Sequence, residues 1–350
     1  MSYRVIQYAT GLTARLVMRT IAQRPDLTLV GLGVLNPDKV GRDAGELAKT
    51  PETGVKATAD LEALYALDAD VVMHMPLPSA LMSADPSIDE DVICNFLASG
   101  KNVITTVGYV YPKAYGPDVV ERLEAACERG ATSLHGTGFN PGFVSDVLPA
   151  TLLSMSATVE RVYVQDSTDF ATHPNASFVK GYLGFGLSPE EFEGRTVYRA
   201  YTDALFKESL MLLADCLGES VEEMISTVDY HVATEDVEVA SGVIPRGAVS
   251  AACNRWRAVI GGREMIHLCL IYRARADQGT HWGGGKEFVF EIDGRPKMKL
   301  EFEHDWLSNG LLGTAAHAVN AIPHVVDAAP GIRSFIDLPM IRAIGAAGKG

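Results

Sequence analysis

Apolar and polar residues change their spacing about 145 residues into the chain, and the change divides it. Before that point, short apolar runs alternate with segments whose apolar residues recur at helical spacing. YRVIQYA (Tyr3–Ala9) is rich in β formers, and ARLVMRTIAQ places Leu16, Val17, Ile21 and Ala22 on one helical face. LTLVGLGVL reads as a second strand. DLEALYAL reads as a helix capped by Asp60, and ADVVMHM, apolar on both faces, as a central parallel strand. IDEDVICNFLASG predicts a helix ending at Gly100, NVITT a strand, and PDVVERLEAACERG a helix with Pro117 in its first turn and Gly130 as its C-cap. ATSLHGTG predicts the next strand. This rhythm specifies an α/β fold, a Rossmann-like doubly wound parallel sheet over residues 1–146.

Beyond Asp146 longer strands take over. VERVYVQDSTDF, DYHVATEDVEVASG, WRAVIGGREMIHLCLIYRARA and KEFVFEIDGRPKMKLEFEHD alternate, with hairpin turns expected at Gly261–Gly262 and Asp293–Gly294. One helix, DALFKESLMLLADCLG, interrupts them. Residues 147–307 therefore read as an α+β domain with a largely antiparallel sheet. The tail, 308–350, returns to helix in LGTAAHAVNAIPHVV and is expected to pack on the first domain.

Composition narrows the function. A chain of 350 residues suits two domains, and 47% hydrophobic with 21% charged residues is ordinary globular composition. A net charge of -14 with scattered Lys and Arg excludes a phosphate-backbone partner, so no nucleic acid is expected. No apolar stretch is long enough for a membrane helix, and the strand-like start leaves no room for a leader. Five dispersed cysteines without a CxxC pair suit reduced thiols in a cytoplasm. The histidines show no metal-ligand spacing, and no metal is expected.

Candidate chemistry begins at QYATGLTAR. A dinucleotide turn uses small residues to turn tightly, to admit the pyrophosphate, and to let helix and strand pack. Gly11 fills the second of these positions. Ala9 and Ala14 fill the first and third, and Ala9 is tolerable only if that residue does not need a positive φ. Thr10, Leu12 and Thr13 complete the turn, and the following helix would aim its N–H groups at an anion. At the tip of the second strand, VLNPDKVGRDAGEL offers Asn36, Lys39 and Arg42 in place of the carboxylate that takes a ribose hydroxyl. Two cations there favour NADP, while Asp38 keeps NAD possible.

Three further strand ends face the same edge. MHMPLP supplies His74, Met75 and Leu77. TTVGYVYPKAYG supplies Thr105, Thr106, Gly108 and Tyr109, and HGTGFNPGF supplies Phe139, Asn140 and Phe143. Hydride transfer needs positioning and a proton source, for which Tyr109 and His74 are the candidates, although each also suits a structural role. Met75, Thr105, Thr106 and Asn140 are expected beside the cofactor. Leu77, Gly108, Phe139, Phe143, Asp166 and Phe178 are expected around a partly apolar small-molecule substrate.

NVITT…YVYP, HGTGFNPGFVSDVLPATL and VNAIPHVVDAAPGI resemble 2,4-diaminopentanoate dehydrogenase and the native amine dehydrogenases, whose N-terminal domain is dihydrodipicolinate-reductase-like. The resemblance implies NAD(P)-dependent interconversion of an amine with a carbonyl plus ammonia, in a homodimer. Two departures stand out. Tyr8-Ala9-Thr10-Gly11 replaces the usual Trp-Gly-Thr-Gly. No Glu follows Thr105-Thr106, where the family carries one to handle the amine; Val107-Gly108-Tyr109 stands there. Asp166 or Asp169 would then serve as the base, or the substrate would be a carbonyl reduced without ammonia, or the chain would be a non-catalytic NADP sensor. The HHxxKxDAPSGT signature of dihydrodipicolinate reductase and the EKP lysine of sugar dehydrogenases are both absent.

Overall fold

In the computed structural model, residues 2–283, 288–302 and 305–346 are described. The chain divides into two compact units, residues 1–143 with 310–350, and residues 144–309; the sequence pattern puts the boundary at 146–147. The first unit begins with β1 (Tyr3–Tyr8), α1 (Leu12–Ala22), β2 (Leu27–Gly33), α2 (Ala44–Ala48), β3 (Ala57–Thr58), α3 (Leu61–Ala66), β4 (Val71–His74) and α4 (Ser79–Met82). It continues with α5 (Ile88–Ala98), β5 (Asn102–Thr105), α6 (Pro117–Gly130) and β6 (Ser133–Gly136). The second unit holds α7 (Leu148–Leu153), β7 (Thr158–Asp169), α8 (Pro189–Glu193), α9 (Thr196–Cys216), β8 (Glu223–Val232), β9 (Val237–Val239) and β10 (Gly242–Ile244). There follow β11 (Val249–Ile260), β12 (Arg263–Arg273), β13 (Phe288–Arg295) and β14 (Met298–Phe302), before α10 (Trp306–Val326) and β15 (Gly331–Ile332) close the chain.

The first sheet has the order β15-β6-β5-β4-β1-β2-β3, and every pairing in it is parallel. Strand order reverses between β1 and β4, which puts the carboxyl ends of Tyr8 and His74 side by side as register partners. That is where ligands enter open α/β sheets. Apolar residues leave both faces of β4 and β5, and each face is covered. Val5, Val71, Met73 and Ile104 pack with Ala14 and Val17 of α1 and with Ala318, Val319 and Ile322 of α10. Ile6, Val72 and Val103 pack on the other face with Phe96, Leu97 and Leu123. The C-terminal helix is therefore part of the first unit's core, although more than 150 residues of the other unit precede it. Asp60 caps α3 by accepting the Ala63 N–H.

Gly130 plays a different part from the expected C-cap. The left-handed cap is Ala131, at φ 53. Gly130 is the last helical residue, and a Cβ there would lie 1.8 Å from the Leu97 carbonyl oxygen. It is glycine because α5 and α6 meet at that point.

The second sheet has the order β14-β13-β7-β12-β11-β8 and is mixed, antiparallel except for the β7–β12 pair. Gly261 and Gly262 turn between β11 and β12 with φ 58 and 69, as a tight hairpin requires. Asp293–Gly294 is not a turn. β13 runs through it, and the register against β7 shifts there. A Cβ at Gly294 would meet the Thr158 carbonyl oxygen at 2.0 Å, so this glycine admits a neighbouring strand at a bulge. The ends of the KEFVFEIDGRPKMKLEFEHD run, Lys286, Glu287, Glu303 and His304, lie outside the described residues. α9 lies across β11 and β12, with Phe206 stacked on Trp256 at 4.1 Å. Among the described residues no helix is long and apolar enough to cross a membrane.

Candidate functional site

The turn after β1 leaves its backbone open at Gly11. Gly11 is the N-cap of α1 at φ -67, no side chain caps it, and nothing lies within 4 Å of where its Cβ would be. Its glycine is thus not demanded by the fold, whereas the open space above it lets a ligand approach the backbone. Ala14 is fully buried, its methyl filling the contact between α1 and the sheet. Ala9 departs from the tolerable case: its φ is 76, the left-handed region a side chain disfavours. The first position does need a positive φ, and alanine holds it under strain. Thr10 is buried beside it, while Leu12 is exposed and Thr13 half-buried.

Lys39 connects the second strand's tip to this turn. Its Nζ donates to Thr10 Oγ1 at 2.8 Å, and Arg15 Nε donates to the Thr10 carbonyl at 3.2 Å. Burial, then the Arg15 and Arg42 guanidiniums, push the Lys39 ammonium below its ordinary pKa. A side chain whose proton is disfavoured by two other cations marks a place short of negative charge. Arg42 is partly engaged, its Nη2 lying 2.7 Å from Glu46. Asn36 accepts the Asp38 N–H at 2.9 Å, and both are exposed.

His74, at the end of β4, is fully buried, stacked on Tyr8 with ring centroids 5.3 Å apart and planes 7° from parallel. Its Nδ1 lies 3.0 Å from Thr105 Oγ1, and its Nε2, without a hydrogen bond, lies 3.8 Å from Asp89 Oδ1. Burial lowers the imidazole's pKa to about 3 and raises that of the Asp89 carboxyl. At neutral pH the ring is therefore uncharged. Thr105 is fully buried, and the Thr106 N–H donates to the His74 carbonyl at 3.2 Å. Met75 is buried in the core with its N–H on the Tyr8 carbonyl, whereas Leu77 is 69% exposed.

Gly108 and Tyr109 follow with φ 116 and 61. Tyr109 is half-buried, tilted against Tyr115 at 5.3 Å. Gly136 explains part of its placement, since a Cβ there would fall 2.1 Å from the Tyr109 carbonyl. The Thr137 N–H donates to the Thr105 carbonyl at 2.9 Å, and Thr137 Oγ1 lies 2.8 Å from Nδ1 of His317 on α10. His317 also packs against Phe143, at 5.4 Å. Asp89 and His317 were not singled out from the sequence; only their long-range bonds identify them. Phe139 and Asn140 are half-buried on the loop between Thr137 and Phe143.

Asp166 and Phe178 lie in the second unit. Asp166, 3% exposed, accepts Tyr272 Oη at 2.9 Å and Thr168 Oγ1 at 2.8 Å. Phe170 stands edge-on to Tyr272 and tilted against Phe178, which stacks on Tyr182. Tyr182 meets Tyr198 edge-on, and the Arg195 guanidinium lies 4.0 Å above the Tyr198 ring. Burial, then the Asp166 charge, raise the Tyr272 phenol's pKa. A cavity of about 30 Å³ opens among Phe185, Arg195, Tyr198, Asn254 and Tyr272. This is a carboxylate held at the edge of an aromatic cluster. Cys127 and Cys94 are poor nucleophiles: burial pushes Cys127 up to about 12 and Cys94 to about 11.

The chain resembles known proteins along most of its length. The chain is 27% identical to an amine dehydrogenase of Streptomyces virginiae, over 98% of each sequence. It is 26% identical to the 2,4-diaminopentanoate dehydrogenase of Acetoanaerobium sticklandii, over 69% of this chain and 68% of that one. Its fold matches the structure of an amine dehydrogenase from Mycobacterium smegmatis with a TM-score of 0.78, at 20% identity, over 98% of this chain and 97% of that one. Residues 143–349 match the family described as the 2,4-diaminopentanoate dehydrogenase C-terminal domain. The protein is an enzyme, an oxidoreductase, and it belongs to that family.

Proposed function

We propose that this chain is an NADP-dependent oxidoreductase that moves a hydride between the nicotinamide and a small, partly apolar carbonyl or imine, with the amine as reactant in the reverse direction. The observation that carries this reading is the Lys39–Thr10 bond within a cluster of three cations at an uncapped helix N-terminus. Gly11 leaves room for a pyrophosphate to reach the backbone, and the first N–H groups of α1 are its donors. Lys39, with Arg15 and Arg42 beside it, would hold a 2′-phosphate. The bound cofactor supplies or accepts the hydride; the chain supplies position, dryness and protons.

In that reading His74 positions rather than donates. Held neutral and stacked on Tyr8, it fixes the Thr105 hydroxyl, and Thr105, Thr106 and Asn140 flank the nicotinamide. Tyr109, standing where the family carries its carboxylate, is the proton donor. Phe139 and Phe143 would receive the substrate's apolar body, and the second unit would form the homodimer that the family resemblance implies. The test is NADPH-dependent turnover by the purified chain on a panel of short ketones and aldehydes, with and without ammonium. Oxidation faster with ammonium supports an amine product, and turnover that ignores ammonium supports a carbonyl reductase. The missing carboxylate after Thr106 favours a second reading, a sensor that binds NADPH and turns nothing over; tight binding with no turnover on the whole panel would select it.

A further inference from the structure

Cys253 on β11 and Cys269 on β12 occupy a diagonal of the central hairpin of the second sheet. Cys253 is the register partner of Ile271, and Cys269 that of Arg255. Partnered residues, and residues two apart on one strand, share a face, so both thiols project to the same side. Sheet twist brings one of the two diagonals closer than the other, and the sulfur–sulfur distance of 3.7 Å identifies this as the near one. Both side chains are buried, with Ile271, Tyr163 and Trp282 packed around them. Cys94, Cys127 and Cys216 lie instead in α5, α6 and α9.

We propose that Cys253 and Cys269 form a redox-active dithiol that a peroxide closes to a disulfide joining β11 to β12. The two sulfurs are chemically unequal. Hydrogen bonding from Cys253, then the nearby Arg255 and the Tyr163 hydroxyl, bring the Cys269 thiol below its ordinary value against the opposing effect of burial. The Cys253 thiol is pushed up, chiefly by the same bond to Cys269. Arg255, the register partner of Cys269, stands beside that sulfur and favours its thiolate, so Cys269 is the attacking sulfur. Its thiolate takes one oxygen of hydrogen peroxide, the O–O bond breaks, and hydroxide leaves, giving a sulfenic acid. The Cys253 sulfur then attacks the Cys269 sulfur and expels that oxygen as water with the Cys253 proton. Two thiols and one peroxide thus become one disulfide and two waters. The sulfurs must close from 3.7 Å to about 2.05 Å.

The test uses the full-length protein, treated with hydrogen peroxide, alkylated after denaturation, digested and weighed. The expected result is a mass lower by about 2 Da before alkylation. It comes with two fewer alkylatable thiols out of five, one cross-linked peptide pair containing Cys253 and Cys269, and full reversal by dithiothreitol. Cys253→Ser should leave a sulfenic acid on Cys269 that dimedone traps, and Cys269→Ser should leave Cys253 unmodified. Five alkylatable thiols in the treated wild type, or a cross-link through any other cysteine, would overturn the proposal without bearing on the cofactor reading.

Discussion

The ammonium of Lys39 donates to the hydroxyl of Thr10 across 2.8 Å, tying the tip of β2 to the turn between β1 and α1. In the proposed reading, a lysine there instead of a carboxylate would reverse the sign of the charge that meets a ribose 2′ position. Because Arg15 and Arg42 already crowd the same ammonium, an incoming phosphate would relieve repulsion as well as gain hydrogen bonds.

Gly11→Ala separates folding from binding. The added methyl meets nothing within 4 Å, and φ -67 suits alanine, so unfolding in urea should shift by no more than about 1 kcal/mol, the scale of an N-cap change. In the proposed reading the same methyl would stand where the pyrophosphate approaches, so NADPH should bind at least about tenfold more weakly, a change of about 1.4 kcal/mol. An NADPH affinity unchanged in calorimetry would remove this turn from the site.

The two alanines of the turn should respond to glycine with opposite signs. Ala9→Gly relieves a left-handed residue and should stabilise by up to about 1 kcal/mol, part of the gain being offset by a more flexible unfolded chain. Ala14→Gly removes a buried methyl inside α1 and should destabilise by about 1 kcal/mol or more. Denaturant midpoints of the two variants decide this.

Stability should fall as pH drops below 6.5. Burial holds His74 at about 3 and His135 and His317 at about 4 in the folded state, against 6.5 for a free ring. Between those values the unfolded chain binds more protons than the folded one, so each ring's contribution is complete above pH 6.5 and is lost on acidification. Each adds a slope of about 1.4 kcal/mol per pH unit between roughly pH 6 and 4. His135→Gln should flatten the dependence of unfolding free energy on pH in that window, whatever it does to stability at pH 7. An unchanged slope would contradict the buried neutral ring.

Tyr109→Phe removes only the hydroxyl and keeps the ring. If that hydroxyl is the proton source, kcat should fall by about a hundredfold or more while NADPH affinity changes little. Steady-state kinetics with a saturating carbonyl substrate, paired with NADPH titration, reads both.

Much of the fold was legible because parallel strands buried on both faces leave apolar runs that few other structures produce: VVMH and NVIT are buried at every position. Turn chemistry was legible where two consecutive glycines left one solution, at Gly261–Gly262. It misled at Asp293–Gly294, where the glycine serves a bulge whose partner, Thr158, lies far away in sequence. The left-handed Ala9 was invisible for a similar reason, since its φ is imposed by its surroundings rather than by its own preference. Lys39 could be placed at a strand tip from spacing alone, but its bond to Thr10 could not. The pairs His74–Asp89 and Thr137–His317 join residues 15 and 180 positions apart with no motif between them, so only the folded sheet brings them to one edge.

Calorimetric titration of the wild type and of Lys39→Ala with NADPH and with NADH tests the central claim most directly. The account predicts that the wild type binds NADPH at least about tenfold more tightly than NADH, a difference of about 1.4 kcal/mol. In Lys39→Ala that difference should collapse through loss of NADPH affinity, with NADH little changed. Equal affinities in the wild type, or an NADPH preference that survives the substitution, would contradict it.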